Sequence, residues 1–166
     1  EKGFQYLVDI LSYCDLSIKI IAVYNTKDKA NQAVNKYGFQ EFIDSGMLEI
    51  KYGMTWETGL AKLVACSRGV IIPSIWPTTT EFGFLESLGY HKPVFCFDLS
   101  IHHEVIKNGI NGFITPLADC KTMAKQIQLV KNNDKIYSLI SKNANLLFLE
   151  LTDYSRWKKD LKLMGL

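Results

Sequence analysis

The stretch GVIIPSIWPTTTEFGFLESLGYHKPVFCFD, residues 69–98, decides the reading of the chain. It opens on GVIIPS (69–74), a short apolar run rich in β-branched residues and stopped by Pro73, the pattern of a strand buried on both faces. Over 81–90, Phe82, Leu85, Leu88 and Gly89 share one helical face. PVFCFD (93–98) is a second unbroken apolar strand. Strand, amphipathic helix and strand in close succession form a βαβ unit, and parallel strands need such a crossover.

The same alternation extends outward in both directions. Phe4, Leu7, Val8 and Leu11 predict a helix over about 4–14, IKIIAVY (18–24) a buried strand, and Ala30, Ala33, Val34 and Tyr37 a second helix ending near Gly38. LEIKYG (48–53) reads as a strand, and Leu60, Leu63 and Val64 mark the next helix. Beyond the deciding stretch, ITP (114–116) closes a short strand. Met123, Ile127 and Val130, then Ile136, Leu139, Ile140 and Leu147, give two closing helices. The expected fold is α/β, a doubly wound Rossmann-like single parallel sheet with helices on both faces. There is no internal repeat or linker.

Composition supports this class. The 166 residues are 48% hydrophobic and 22% charged, which excludes a disordered, collagenous or low-complexity chain. Lys plus Arg exceed Asp plus Glu by 19 to 17, too small a margin for a polyanion or nucleic-acid binder by bulk charge. Cys14, Cys66, Cys96 and Cys120 are scattered without a CxxC pair, which argues for reduced thiols and against zinc. No apolar run reaches the ~20 residues of a membrane span. EKGFQYLVDIL at the start resembles neither a signal peptide nor a natural start, so the chain reads as cut from something longer.

Ligands of doubly wound sheets sit beyond the carboxyl ends of the strands. Those loops begin near Asn25, Gly53, Ser74, Asp98 and Pro116, making Tyr24, Asn25, Gly53, Met54 and Ser74 candidates for ligand contact. Thr78, Thr79 and Thr80 precede a helix start, where hydroxyls and free N–H groups suit phosphate or sugar; capping is the plainer reading. Glu81 and Glu86 are five residues apart and make a poor acid/base pair, though each could bind a hydroxyl. Glu86 sits in an apolar stretch and needs a partner, for which a ligand diol is one candidate. His102, His103 and Glu104 fall in the next loop. With no third ligand and no second shell identified, the histidines read as surface groups. Asn108-Gly109 and Asn111-Gly112 are turn signals.

Several pieces keep one family's order and spacing. They are Lys2-Gly3, Pro73-Ser74, Leu85-Glu86-Ser87, Lys92-Pro93-Val94, Glu104-Val105-Ile106 and Asn108-Gly109-Ile110-Asn111-Gly112-Phe113. Together they resemble the donor-binding signature of GT-B glycosyltransferases, in particular the retaining family 4 (glycosyl transferases group 1). The likeness covers nearly the whole chain. Where the family has a Glu-Gly-Phe-Gly segment, TTTE (78–81) stands here, so either Thr78 or Glu81 takes the place of the family's first glutamate.

The resemblance implies that residues 1–166 are a single nucleotide-sugar-binding domain, lacking its first strand and the N-terminal acceptor domain. It implies a hexosyltransferase-like enzyme that moves a sugar from a UDP-, GDP-, ADP- or dTDP-sugar to a glycan, lipid or protein-linked saccharide. Configuration would be retained, without metal or cofactor. Glu86 would hold the ribose hydroxyls, Lys2 would offset the departing diphosphate, Thr78 to Glu81 would meet sugar and phosphate, and Ser74 would line the cleft. The isolated chain would bind donor without transferring sugar. The resemblance further implies a place in the cytoplasm, with peripheral association at the inner membrane face open to the full-length protein. A nucleotide-sugar epimerase of the same fold is the alternative enzyme, and a non-catalytic flavodoxin-like regulatory module the alternative of another class. A phosphate-receiver domain would want acidic residues where Tyr24-Asn25-Thr26 stands, and no GxGxxG supports a dehydrogenase. The tail, 154–166, is expected to be helical, with Tyr154, Trp157 and Leu161 on one stripe.

Overall fold

The computed structural model describes residues 3–76, 81–99, 101–155 and 158. Five strands, all in parallel pairs, alternate with helices: β1 (Ile20–Tyr24), β2 (Leu48–Tyr52), β3 (Val70–Ile72), β4 (Val94–Phe97) and β5 (Phe113–Thr115). The helices are α1 (Tyr6–Ser12), α2 (Lys27–Tyr37), α3 (Gln40–Asp44), α4 (Ala61–Cys66), α5 (Phe82–Gly89), α6 (Ile101–Val105), α7 (Cys120–Asn132) and α8 (Asp134–Leu151). A π-helical turn, Trp56–Leu60, leads into α4.

One expectation changes. The strands do not form a single sheet: β1 pairs with β2, and β3–β4–β5 form a separate parallel sheet. No ladder joins β1 to β3. Their facing edges flank a cavity of about 590 Å³.

Alternation along the strands explains why helices cover both faces. Phe95 and Phe97 of β4 enter one core cluster with Leu7 and Ile10 of α1 and Met123 and Ala124 of α7. Val94 and Cys96, the intervening residues, enter another with Phe84 and Leu88 of α5 and Ala144 and Leu147 of α8. Period-two side-chain direction thus sends β4 into two cores. All four β4 residues are buried, as the apolar run predicts.

Local chemistry sets the ends. Thr26 caps α2, its side chain accepting from the Lys29 N–H, and Gly38 closes it in the left-handed conformation (φ 72°) that glycine adopts without strain. Asn133 caps α8 through the Ile136 N–H. The Asn-Gly turns are structural: Asn111 accepts from the Lys107 N–H and donates to the Val105 carbonyl, while Asn108 accepts from the Ile114 N–H. Lys92 is 7% exposed. Its Nζ donates to the Ala65 and Ser67 carbonyls (2.7 and 2.9 Å), satisfying acceptors at the C-terminal end of α4. Of the expected tail helix, most lies outside the described residues; Tyr154 is exposed.

Candidate functional site

The loops after β1 and β2 leave from one end of the first sheet and those after β3 and β4 from one end of the second. Residues 3 and 4 bridge the two ends, Gly3 lying against the Pro73 carbonyl just beyond β3 and Phe4 stacking on Tyr24 at the end of β1. The loops after β1 and β2 meet directly, since the Gly53 N–H donates to the Tyr24 carbonyl at 2.9 Å. Gly53 has φ 67° and is exposed, as is Asn25; Met54 is half-buried.

Two expected contact residues face inward instead. Tyr24 is 9% exposed, its ring stacked on Phe4 at 4.6 Å. Burial, with Tyr37 adding, pushes its phenol up to about 12, so it stays neutral. Ser74 is 4% exposed, so its side chain lies beneath the surface rather than along an open cleft. Tyr24 is the last residue of β1, and Ser74 lies two residues beyond the end of β3. Lys2, Thr78, Thr79 and Thr80 lie outside the described residues.

Helix α5 carries both glutamates. Glu81 is its N-cap residue, yet its carboxylate makes no cap bond. Oε2 lies 3.3 Å from Nε2 of His102. His102, read from sequence as a surface group, is 4% exposed and packs against the Phe84 ring at 5.2 Å. The reason is α6, whose five-residue helix turns His102 inward and His103 outward. His103 Nδ1 instead meets the Asp98 carboxylate at 2.6 Å on the surface. Among the described residues, neither ring nitrogen of His102 completes a hydrogen bond, nor does Glu81 Oε2. The Glu81 carboxylate and then Asp98 add to burial in pushing the Cys96 thiol up, so that cysteine is an inert core group.

Glu86 is in the second turn of α5 and half-buried. Its backbone carbonyl accepts from the Tyr90 N–H, and its carboxylate has no hydrogen bond or ion pair with another described residue. One turn later, on the same helical side, Tyr90 stacks on Trp56 with centroids 5.5 Å apart and planes 15° from parallel. The Trp56–Tyr90 pair joins the loop after β2 to α5. No sequence signal revealed it, because the two rings are separated by a strand and two helices.

Among the described residues, no three His, Cys, Asp or Glu side chains are grouped to hold a metal ion, and no helix is long and apolar enough to cross a membrane. The four cysteines are free.

No protein-family model and no curated protein matches the sequence. Solved structures do match in shape. HepE of Anabaena, in complex with UDP, superposes with a TM-score of 0.81 at 20% identity, over 99% of this chain and 46% of HepE. HepE is also known with UDP-glucose. TarM of S. aureus matches at 0.77 and 19% identity, over 99% of this chain and 32% of its own. A glycosyltransferase from Rickettsia africae matches at 0.76 and 18%, over 98% and 43%. The chain has the fold of one half of a GT-B glycosyltransferase. It spans less than half the length of these GT-B proteins. Among the described residues, Glu86, the Trp56–Tyr90 pair and the exposed loop ends at Asn25 and Gly53 are groups open to a ligand.

Proposed function

We propose that this chain is the donor-binding half of a glycosyltransferase that moves a sugar from a nucleotide sugar to an acceptor, with retention and without a metal. The observation that carries the reading is Glu86, a half-buried carboxylate without a polar partner among the described residues, one turn from a stacked aromatic pair. An ionised carboxylate accepts two hydroxyl hydrogen bonds at once, which suits the vicinal diol of a ribose. The Trp56–Tyr90 pair offers a flat apolar flank for the base. Shared fold with HepE, a protein that binds UDP and UDP-glucose, supports the same ligand class.

In this reading Lys2, Thr78, Thr79, Thr80 and Glu81 serve the diphosphate and sugar, where cationic side chains and backbone N–H groups stabilise charge on the leaving group. A second domain holds the acceptor, so the chain alone binds donor without transferring sugar. The full-length enzyme would work in the cytoplasm on a glycan, lipid or protein-linked saccharide, with peripheral association at the inner membrane face open to it.

The test is a thermal-shift screen of UDP-, GDP-, ADP- and dTDP-sugars, followed by titration of the best binder against Glu86→Ala. Charge-assisted hydrogen bonds contribute about 1.5–3 kcal/mol each, so the variant should lose at least about tenfold in affinity for every donor sharing that nucleotide. Thr78→Ala should change preference among sugars with nucleotide affinity nearly constant. Unchanged nucleotide affinity in folded Glu86→Ala would overturn the assignment.

A further inference from the structure

Helix α6 is five residues long, and His102 is its one buried residue. A helix this short is held mainly by what it packs, and an apolar side chain would pack there without burying a polar group. His102 instead carries an imidazole inward, against Phe84 and beside the cluster that Phe84, Leu88, Cys96 and Ile106 form. Its backbone is fixed on both sides. The His102 N–H donates to the Leu99 carbonyl, and the His102 carbonyl accepts from the Ile106 N–H.

Glu81 poses the complementary problem. Ser, Thr, Asp and Asn are the side chains that cap helices well, and the Glu81 side chain makes no cap bond. Its Oε2 is wholly buried, while 14% of the side chain stays open to solvent. Among the described residues no Lys or Arg pairs with it. A buried carboxylate oxygen without a donor is costly. His102 Nε2, at 3.3 Å, is the group within reach. An ionised carboxylate only accepts hydrogen bonds, so the proton at this contact belongs to Nε2. The separation is slightly longer than an ordinary N–H···O bond, as is common for site contacts that tighten once a ligand arrives. With Oε2 turned to the ring, Oε1 is the oxygen left for a ligand hydroxyl.

The contact also spans the sheet edge where ligands sit. Glu81 opens α5 after β3, and His102 lies in α6 after β4, so the pair ties together the segments that leave two adjacent parallel strands.

We infer that His102 is a positioning residue of the donor site: its Nε2–H holds Glu81 Oε2, and so fixes the carboxylate and the first turn of α5 in the orientation that meets the sugar of the donor. The ring itself is covered and touches no ligand. This role rests on the donor-binding reading of α5.

A double-mutant cycle read by affinity tests it. The probes are the tightest-binding nucleotide sugar of the thermal-shift screen and its nucleoside diphosphate, which lacks the sugar. His102→Leu, whose side chain suits the apolar surroundings, should weaken the nucleotide sugar at least about fivefold and the nucleoside diphosphate less than about twofold. His102→Gln, which keeps an N–H donor, should recover most of that loss. In a Glu81→Ala background His102→Leu should cost nothing more, because the group it acts through is gone. A second readout needs no ligand: the His102 ring N–H should give a slowly exchanging downfield proton signal in NMR spectra of the unsubstituted chain, absent in Glu81→Ala. If the Leu variant does not fold, His102→Phe replaces it. Unchanged nucleotide-sugar affinity, an equal loss for the nucleoside diphosphate, additive losses in the cycle, a missing ring N–H signal, or failure of both apolar variants to fold would each overturn the role and leave the donor reading standing. Absence of binding by every nucleotide sugar would overturn the donor reading and this role together.

Discussion

Strands β1 and β4 are nearly equal in apolar content but live differently. IIAVY in β1 buries Ala22 and Tyr24 and leaves Ile20, Ile21 and Val23 half-covered, whereas every residue of VFCF in β4 is buried. The difference is neighbours. β4 has a paired strand on each side and a helical layer on each face, while β1 has β2 on one side and the cavity on the other. Hydrophobicity prepares a strand for the interior; pairing on both edges puts it there.

Truncation should expose that contrast most strongly. Phe97→Ala removes a fully buried ring from the core and should cost about 3–5 kcal/mol by urea denaturation. Val23→Ala, at the half-covered edge, should cost about 1 kcal/mol or less in the chain alone. Equal costs would erase the distinction between the two sheets.

Buried against exposed charge comes next. Lys92→Met beside β4 strips two carbonyls of their donor and should cost about 2 kcal/mol. Lys51→Met in β2 removes only a surface contact with Glu49 (2.6 Å) and should stay under about 1 kcal/mol. A reversal of that order would mean the β1–β2 side depends on its surface charges.

The smallest effect is pH-linked. Hydrogen bonds from Lys19 and Lys51 hold the Glu49 carboxyl down at about 2, below its ordinary value. A depressed carboxylate contributes stability that is full above its unfolded value and lost as pH falls through about 2. Glu49→Gln should therefore narrow the stability difference between pH 6 and pH 2 slightly, by less than about 1 kcal/mol. The effect should vanish in 1 M salt, where surface pairs are screened. A salt-independent effect would place the triad in a drier setting than its exposure indicates.

Element types were legible wherever a pattern ran long enough to show its period. β1 and β4 fall within the ranges of their apolar runs, and α2, α7 and α8 each contain the stripe that their apolar spacing marks out and extend a few residues beyond it. Helices α3 and α6, five residues each, were not, because little more than one turn displays no stripe. That brevity hid the inward turn of His102. The candidate site divides in the same way. Glu86 stands out in sequence as a carboxylate in an apolar stretch, but its half-buried place beside the Trp56–Tyr90 stack does not.

The sequence by itself determined the alternation of strand and helix, the caps at Thr26 and Asn133, and the Asn-Gly turns, since each depends on residues within a few positions of one another. Tertiary structure alone decided the Glu81–His102 pairing, the burial of Tyr24 and Ser74, the seating of Lys92 on carbonyls 25 and 27 residues away, and the division into two sheets. Those outcomes depend on which distant segments come to lie side by side, and a residue's local neighbours carry no record of that.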